Sequence, residues 1–245
     1  QRVKNFVNAQ SNPLTEWLGQ EQDYGVVNVF IRYLVEHYGE DILIDSLHSS
    51  ENGIDSINHA LQENDVEKSF AEVFTDWTIA VFLNNCKIEQ KYCYEEEPLS
   101  EINTYSSLIF LSDTKQDSHT ARYSLKPWSG HWYRIRGGKG DLTLRLDGDS
   151  QADFKVPYVL KDEGYSIEFV DLNQEQEGEI AIENFGDYDS LTFIPSVQSS
   201  ESVNGRQSSY DLEIKITTET EESRQETERL RERVAELQAR VEELT

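Results

Sequence analysis

The sequence contains no methionine among its 245 residues. Because translation starts with methionine, we expect that the front of the chain was removed by processing or that the chain begins partway through a longer protein. No run of about 18 apolar residues occurs, so we expect no membrane-spanning segment. The chain also opens without the pattern of a secretory signal. Neither absence argues for the cytoplasm, since the expected front of the protein is missing.

Basic residues are scarce. Lys and Arg number 22 against 47 Asp and Glu, which gives a net charge of −25. This charge repels phosphate backbones and anionic lipid, so the composition argues against nucleic acid and bare membrane as partners. It suits an extracellular, cation-rich or high-salt setting, although simple solubility explains it equally well.

Cysteine is limited to Cys86 and Cys93 in "CKIEQKYC". Two thiols that flank a short polar connection can close a small disulfide loop, which would indicate an oxidising compartment. A pair of free thiols is the alternative. A zinc site is not expected, because no second cysteine pair or nearby histidine completes four ligands.

The common catalytic motifs are also missing. None of the five histidines stands in H-E-x-x-H, and the sequence has no G-x-S-x-G and no phosphate-binding glycine loop. We therefore expect the chain as given to be inactive and to hold no cofactor.

What is present divides the chain into three parts, which together predict a multidomain α+β protein. Residues 1–88 have helical periodicity and predict a helical bundle, with a short helix begun by Pro13 in "PLTEWLGQ". The next helix carries an apolar stripe and ends at Gly39. A further helix begins with the capping box of Ser69 and Glu72 and ends at Asn84-Asn85. The two predicted stripes consist of Val27, Phe30, Ile31, Leu34, Val35 and Tyr38, and of Phe70, Val73, Phe74, Trp77 and Val81.

Residues 89–218 change to a period of two. Eight short alternating segments, separated by turns rich in Gly, Asp, Asn and Ser, predict an antiparallel β-sandwich of jelly-roll type. Pro157 lies inside one of these segments and predicts an edge strand or a bulge.

Residues 219–245 predict a coiled-coil stalk. Valine at heptad position a and leucine at d favour a parallel pair of helices, so we expect self-association through this segment. A lone amphipathic helix folded back on the sandwich is the alternative. The predicted contact positions are Leu230, Val234, Leu237, Val241 and Leu244.

Two other groups of residues are candidate ligand sites. Carboxylates cluster in the turns "DGDSQAD" and "NFGDYDS" and could bind Ca²⁺, although most such residues only stabilise their own turns. The aromatic residues of "PWSGHWY" could form a sugar or peptide platform, but tryptophans near a strand are more often core. The candidate calcium ligands are Asp147, Asp149, Asp153, Asp187 and Asp189, and the aromatic cluster is Trp128, Trp132 and Tyr133.

The order of the helical motifs resembles the helical lower subdomain of gluzincin zinc metallopeptidases, over about a third of the chain. The matching residues are Leu14, Trp17, Tyr24-Gly25, Phe30, Tyr33-Leu34, Gly39, Gly53-Ile54, Ser56-Ile57, Ala60-Leu61, Phe70, Phe74 and Trp77. The resemblance implies that the H-E-x-x-H helix and the third zinc ligand would precede Gln1, so Zn²⁺ is expected only if that region exists. It also implies that Tyr24 could stabilise an oxyanion in the intact enzyme, the alternative being a packing role at a helix start.

The strand pattern and the stretch "IENFGDYDS" make the sandwich similar to domains that follow secreted bacterial and archaeal peptidases. These observations favour a non-catalytic C-terminal portion of an extracellular or cell-surface metallopeptidase-like protein, with scaffold, display and oligomerisation roles. The first alternative is a structural subunit of a surface layer or filament, and a weaker one is a carbohydrate-binding module. Cell-surface proteins or glycans are the expected further partners.

Overall fold

The computed structural model describes residues 1–113, 116–199 and 207–217, together with 229–230, 233–234 and 238. The N-terminal part forms the helices α1 (Arg2–Asn8), α2 (Glu21–Tyr38), α3 (Asp41–His48), α4 (Ile54–Glu63) and α5 (Phe70–Leu83). Short 3₁₀ turns follow at Gln90–Tyr92 and Leu99–Glu101, and a third lies at Phe185–Asp187. Among the described residues, no helix combines the length and the apolar character that crossing a membrane requires.

Helix α5 is the centre of the helical part. As predicted, Ser69 and Glu72 form a capping box: the Ser69 backbone N–H donates to the Glu72 carboxylate at 2.8 Å, and the Glu72 N–H donates to the Ser69 hydroxyl at 3.3 Å. Asn84 ends the helix with a left-handed backbone, at φ 39°. The whole predicted stripe is buried. The cap and the period together therefore predicted this helix correctly.

Helix α2 buries a face one position away from the predicted stripe. The buried residues are Val26, Val29, Phe30, Tyr33 and Leu34, whereas Val27, Ile31 and Val35 are only partly buried. Valine and isoleucine on both faces make either stripe plausible from the sequence. Tyr33 favours the observed one, because its hydroxyl donates to the Lys91 carbonyl at 2.8 Å. Gly39 ends the helix at φ 87°, as predicted.

The predicted helix at Pro13 is not formed. Residues 10–20 are turns and irregular backbone, and α1 precedes them at Arg2–Asn8. The reason is a buried carboxylate: Asp23 accepts hydrogen bonds from the backbone N–H groups of Leu18 and Gln20, which bends this segment onto the start of α2.

The second part contains strands from residue 107 onward. They are β1 (Ser107–Leu111), β2 (Asp117–Leu125), β3 (Tyr133–Gly137), β4 (Asp141–Gly148), β5 (Phe154–Lys155), β6 (Pro157–Lys161), β7 (Tyr165–Phe169), β8 (Glu177–Ile182), β9 (Ser190–Phe193), β10 (Ser196–Val197) and β11 (Ser208–Thr217). One sheet has the order β1-β3-β9-β6-β7 and another has the order β2-β11-β4-β8, while β5 and β10 form a short separate pair.

The two larger sheets enclose one apolar core, so this part is a β-sandwich. Inward side chains such as Ile135 from one sheet and Leu144 from the other belong to the same buried cluster. Consecutive strands cross repeatedly between the sheets, as they do in jelly rolls. The expectation of a wholly antiparallel sandwich needs a correction, since β1 pairs with β3 in parallel.

Pro157 does not mark an edge strand. It is the first residue of β6, which lies between β9 and β7. A proline at the first position of a strand sacrifices little pairing, and its carbonyl still accepts from the Ile194 N–H at 2.8 Å. The predicted single strand around it is divided into β5 and β6.

The helices and the sandwich share a core. Trp128, Trp132, Val159 and Ile194 of the second part lie in the same buried cluster as the helical residues. The Trp132 indole N–H donates to the Thr78 carbonyl of α5 at 3.0 Å. The two parts are therefore packed as one block.

Candidate functional site

The start of α2 presents an exposed aromatic surface. Trp17, Leu18 and Tyr24 are 54%, 62% and 42% exposed, respectively. The Trp17 and Tyr24 rings meet edge-on with centroids 4.6 Å apart, and the Arg2 guanidinium lies 4.3 Å from the Tyr24 centroid. We call these four residues the Tyr24 surface. Most aromatic side chains of the helical part are buried, so this group is a candidate contact site.

Asp23 fixes the loop that carries Trp17 and Leu18. This residue is only 1% exposed and accepts from the Asn12 amide at 2.9 Å, the Leu18 N–H at 2.8 Å and the Gln20 N–H at 2.9 Å. Burial opposes the ionised form, but these hydrogen bonds outweigh it and lower the pKa of Asp23. The carboxylate therefore holds the Tyr24 surface in place. An acidic residue in the first turn of a predicted helix is the sequence signal that indicates Asp23.

Gly25 explains why a glycine follows Tyr24. A Cβ atom at this position would lie 2.6 Å from the Phe6 backbone nitrogen, which is too close for any other residue. Helix α1 therefore packs directly on the backbone of α2, and Tyr24 projects beside the contact. Within the described part of the chain, the Tyr24 ring contacts Trp17 and Arg2, but its hydroxyl has no hydrogen-bond partner. The surface thus offers a hydroxyl that a second molecule or domain can bind.

The predicted disulfide is formed between Cys86 and Cys93. It closes the loop that follows α5. The Asn85 N–H donates to the Tyr92 carbonyl at 3.0 Å, and the His37 Nε2 lies 3.0 Å from the Cys93 carbonyl oxygen. The bridge therefore ties this loop to both α2 and α5, and its presence is consistent with an exported protein.

The acidic turns are not assembled into a metal site. Among the described residues, no group of three or more His, Cys, Asp or Glu side chains is placed to hold a metal ion. Asp149 accepts from the Gln151 N–H at 3.1 Å within its own turn, and Asp189 pairs with Lys161 at 2.6 Å. Asp147 lies on β4, opposite Glu177 of β8 and Asp211 of β11. Calcium binding by these residues, with Asp153 and Asp187, stays a prediction without geometric support.

The aromatic cluster of the sandwich is core. Trp128, Trp132 and Tyr133 are 4%, 2% and 5% exposed. The Trp128 ring packs edge-on against Phe70 and Phe74, with centroids 4.8 and 5.4 Å apart. A sugar needs an accessible aromatic face, so the platform hypothesis is wrong for these residues.

The predicted coiled-coil contacts fall largely outside the described residues. Leu230 and Val234 are helical and 58% and 52% exposed. Leu237, Val241 and Leu244 lie outside the described residues, so the pairing of this segment is still a prediction.

No protein-family model and no curated protein matches this chain. Several solved structures show a distant likeness to less than half of it. The pre-peptidase C-terminal domain of a collagenase from Bacillus anthracis is 11% identical, with a TM-score of 0.33, over 46% of this chain and 98% of that domain. A mitogen from Yersinia pseudotuberculosis is 17% identical, with a TM-score of 0.32, over 44% and 92%.

A periplasmic inhibitor of g-type lysozyme from Aeromonas hydrophila is 10% identical, with a TM-score of 0.29, over 45% of this chain and 97% of that protein. Because all three likenesses are weak, the proposals below rest on the contacts and the sequence of this chain.

Proposed function

We propose that this chain is the C-terminal scaffold portion, without a complete active site of its own, of an exported, gluzincin-like surface protein. The observation that carries the proposal is the Tyr24 surface. It lies in the helical part, at the tyrosine-glycine pair on which the metallopeptidase resemblance depends. Its side chains are exposed, and the buried carboxylate of Asp23 holds the loop beneath it.

The shared core supports the scaffold role. Trp132 donates to the Thr78 carbonyl, and the Gln198 amide donates to the Thr75 hydroxyl at 2.7 Å. Lys126 of the sandwich also pairs with Glu16 beside the Tyr24 surface. A domain that bound this surface would therefore be held in a fixed orientation relative to the sandwich.

The disulfide and the acidic composition support export. A bond between Cys86 and Cys93 persists in oxidising compartments outside the cytoplasm. A net charge of −25 keeps such a protein soluble and suits a medium rich in cations. We therefore place the protein outside the cell or at its surface.

The experiment uses the complete natural gene product. We expect the encoded protein to carry H-E-x-x-H and a downstream glutamate before Gln1, and to cleave casein in a zinc-dependent manner. In that enzyme Tyr24→Phe should lower kcat about 100-fold with little change in KM, because a hydroxyl that stabilises an oxyanion acts in the transition state. Tyr105→Phe is the matched control, since Tyr105 is 71% exposed and lies far from α2 in sequence.

Two outcomes would contradict this proposal. If the natural protein lacks the zinc motif, the alternative of a structural subunit of a surface layer or filament is favoured. If the 245-residue chain alone hydrolyses peptides with added Zn²⁺ and chelators abolish this activity, the scaffold assignment is wrong, because the chain then holds its own zinc site.

Self-association through the tail is the second component of the proposal. The heptad pattern supports it, and the exposed Leu230 and Val234 are placed on a helix. Sedimentation should show a concentration-dependent dimer that Leu237→Asp abolishes, since a charge at position d disrupts a paired seam. A monomer at high concentration in both proteins would refute the pairing.

A further inference from the structure

A groove runs across the outer face of the five-stranded sheet. It consists of two adjoining cavities of about 460 and 520 Å³, and Arg136 and Asp189 line both. The C-terminal end of α5 forms one wall of the first cavity, and β1 borders the second. We call this feature the arginine groove. Its size is in the range of cavities that bind ligands.

The strand register places two arginines side by side on the groove floor. Side chains alternate between the two faces of a strand, so Arg134 and Arg136 of β3 point away from the core into which Ile135 points. In the neighbouring strand β1, Leu108 pairs with Arg134 and Phe110 pairs with Arg136. These two apolar side chains are 61% and 68% exposed. Each arginine therefore stands beside an exposed apolar side chain.

The two arginines lack ion-pair partners among the described residues. The Arg134 guanidinium lies 5.4 Å from the Phe82 ring centroid, and its Nε is buried without a hydrogen-bond partner. Of the two lysines that line the groove, Lys161 pairs with Asp189 at 2.6 Å, whereas Lys139 adds a further positive charge to the second cavity. Unpaired guanidinium groups in a groove are suited to binding carboxylates.

Acidic groups also border the groove. Asp189 lies at the junction of the two cavities, Glu101 lines the first, and Asp113 lines the second, where it accepts from the Gly138 N–H at 2.6 Å. Asp189 is engaged by Lys161, whereas Glu101 is exposed on the opposite wall. Because Asp113 and Asp189 are both engaged, we expect an anion to bind over β3, where both arginines lie beside the apolar side chains of β1.

We propose that the arginine groove binds an acidic peptide segment in which apolar residues alternate with glutamate or aspartate. The carboxylates would pair with Arg134 and Arg136, and the apolar residues would cover Leu108 and Phe110. Phe110 can also stack on a sugar, but the two-residue spacing of Arg134 and Arg136 on one strand matches the spacing of alternate side chains in an extended peptide, which favours a peptide over an acidic polysaccharide. This proposal is independent of the peptidase relationship.

The probe is a fluorescein-labelled peptide that alternates glutamate and leucine, and fluorescence anisotropy measures its binding to the full chain. The medium should contain about 0.15 M salt, which screens the general repulsion between the acidic peptide and the acidic protein. We expect saturable binding that weakens about tenfold or more when glutamine replaces glutamate in the peptide. Arg136→Gln should weaken binding to a similar extent.

Arg145→Gln is the matched control. Arg145 also lies on a strand and is half exposed, but it belongs to the opposite sheet and pairs with Glu177. This variant should bind within about twofold of the unchanged chain. Arg136 is exposed, so Arg136→Gln should fold normally. Circular dichroism is the measurement that checks its folding.

The proposal is overturned if anisotropy does not change up to about 1 mM protein. It is also overturned if the glutamine peptide binds equally well, or if Arg136→Gln has no effect. Polygalacturonate serves as the competing polyanion. If it binds more tightly than the peptide and loses this binding in Arg136→Gln, the groove recognises acidic polysaccharide instead.

Discussion

Replacing Trp132 with phenylalanine should destabilise the whole protein by about 2–3 kcal/mol. Trp132 is 2% exposed, and its indole N–H donates to the Thr78 carbonyl inside α5. Loss of this hydrogen bond costs about 1 kcal/mol, because the helix still supplies a second donor to that carbonyl. The smaller ring leaves unfilled space that costs roughly 1–2 kcal/mol more.

Urea denaturation measures this change with two signals. Circular dichroism at 222 nm reports mainly on the helices, and near-ultraviolet circular dichroism reports on the packed aromatic residues of both parts. Because Trp132 belongs to the shared core, both transitions should move together to lower urea. A shift under about 0.5 kcal/mol, or a shift in one signal alone, would refute the idea that one core unites the two parts. Trp17→Phe is the control, since Trp17 is 54% exposed and should have little effect.

Three other predictions concern buried groups and the disulfide. Asp23→Asn should cost about 2–3 kcal/mol in urea denaturation, because two backbone N–H groups lose a charged acceptor. Replacing Cys86 and Cys93 with serine should cost about 2.5 kcal/mol, from the chain entropy of a loop of about eight residues. Burial lowers the pKa of His131 to about 4, whereas the unfolded value is about 6.5. Between these pH values the unfolded chain therefore binds more protons than the folded protein. The free energy of unfolding should fall by about 3 kcal/mol as the pH drops through this window, and His131→Gln should remove this part of the pH dependence.

Each of these predictions has a matched control. Asp55→Asn replaces an exposed carboxylate in the first turn of α4 and should change the free energy of unfolding very little. Reducing agent should destabilise the unchanged chain but not the double serine variant. His48→Gln replaces an exposed histidine and should leave the pH profile unchanged. If His131→Gln and His48→Gln have the same profile, burial of His131 does not cause the pH dependence.

Local signals predicted most of the helical part. The capping box at Ser69 and the glycine at Gly39 gave helix ends that agree with the structure. The segment after Pro13 failed because a tertiary contact decides it. The Asp23 carboxylate, ten residues further along the chain, takes the backbone N–H groups that a helix would have used. Such competition is invisible to periodicity.

The strands show a similar division. Alternating leucines predict β4 correctly, but none of the eight predicted segments covers β2, because its inward positions include the polar side chains of Asp117 and His119. Strand β2 is at the end of its sheet, where burial is incomplete and the apolar signal is weak. The sequence does not predict the parallel pairing of β1 with β3 either, because residues far apart along the chain form it and no local pattern specifies it.

The candidate sites differ in how far sequence alone could locate them. The spacing of Cys86 and Cys93 predicted their disulfide correctly. The family resemblance points to Tyr24, but the exposure of this surface depends on the buried Asp23 carboxylate, which the resemblance does not indicate. The arginines of "YRIRG" had a readable signal, because basic residues alternated with core residues in an acidic chain. The sequence does not show which strand lies beside β3, and only the register of β1 in the structure places Phe110 beside Arg136.

The distribution of charge connects these sites to a function in assembly. Several basic residues of the described chain pair with carboxylates, among them Lys68 with Asp76 and Lys126 with Glu16. With more than twice as many acidic as basic residues, a partner is easily found for any guanidinium that can reach one. Arg134 and Arg136 have no ion-pair partner among the described residues, since Asp189, which lines both cavities with Arg136, is engaged by Lys161. The exposed Arg136 guanidinium and the neighbouring Arg134 can both form charge-assisted hydrogen bonds with a carboxylate, which makes the groove a surface at which an acidic segment can attach to this block.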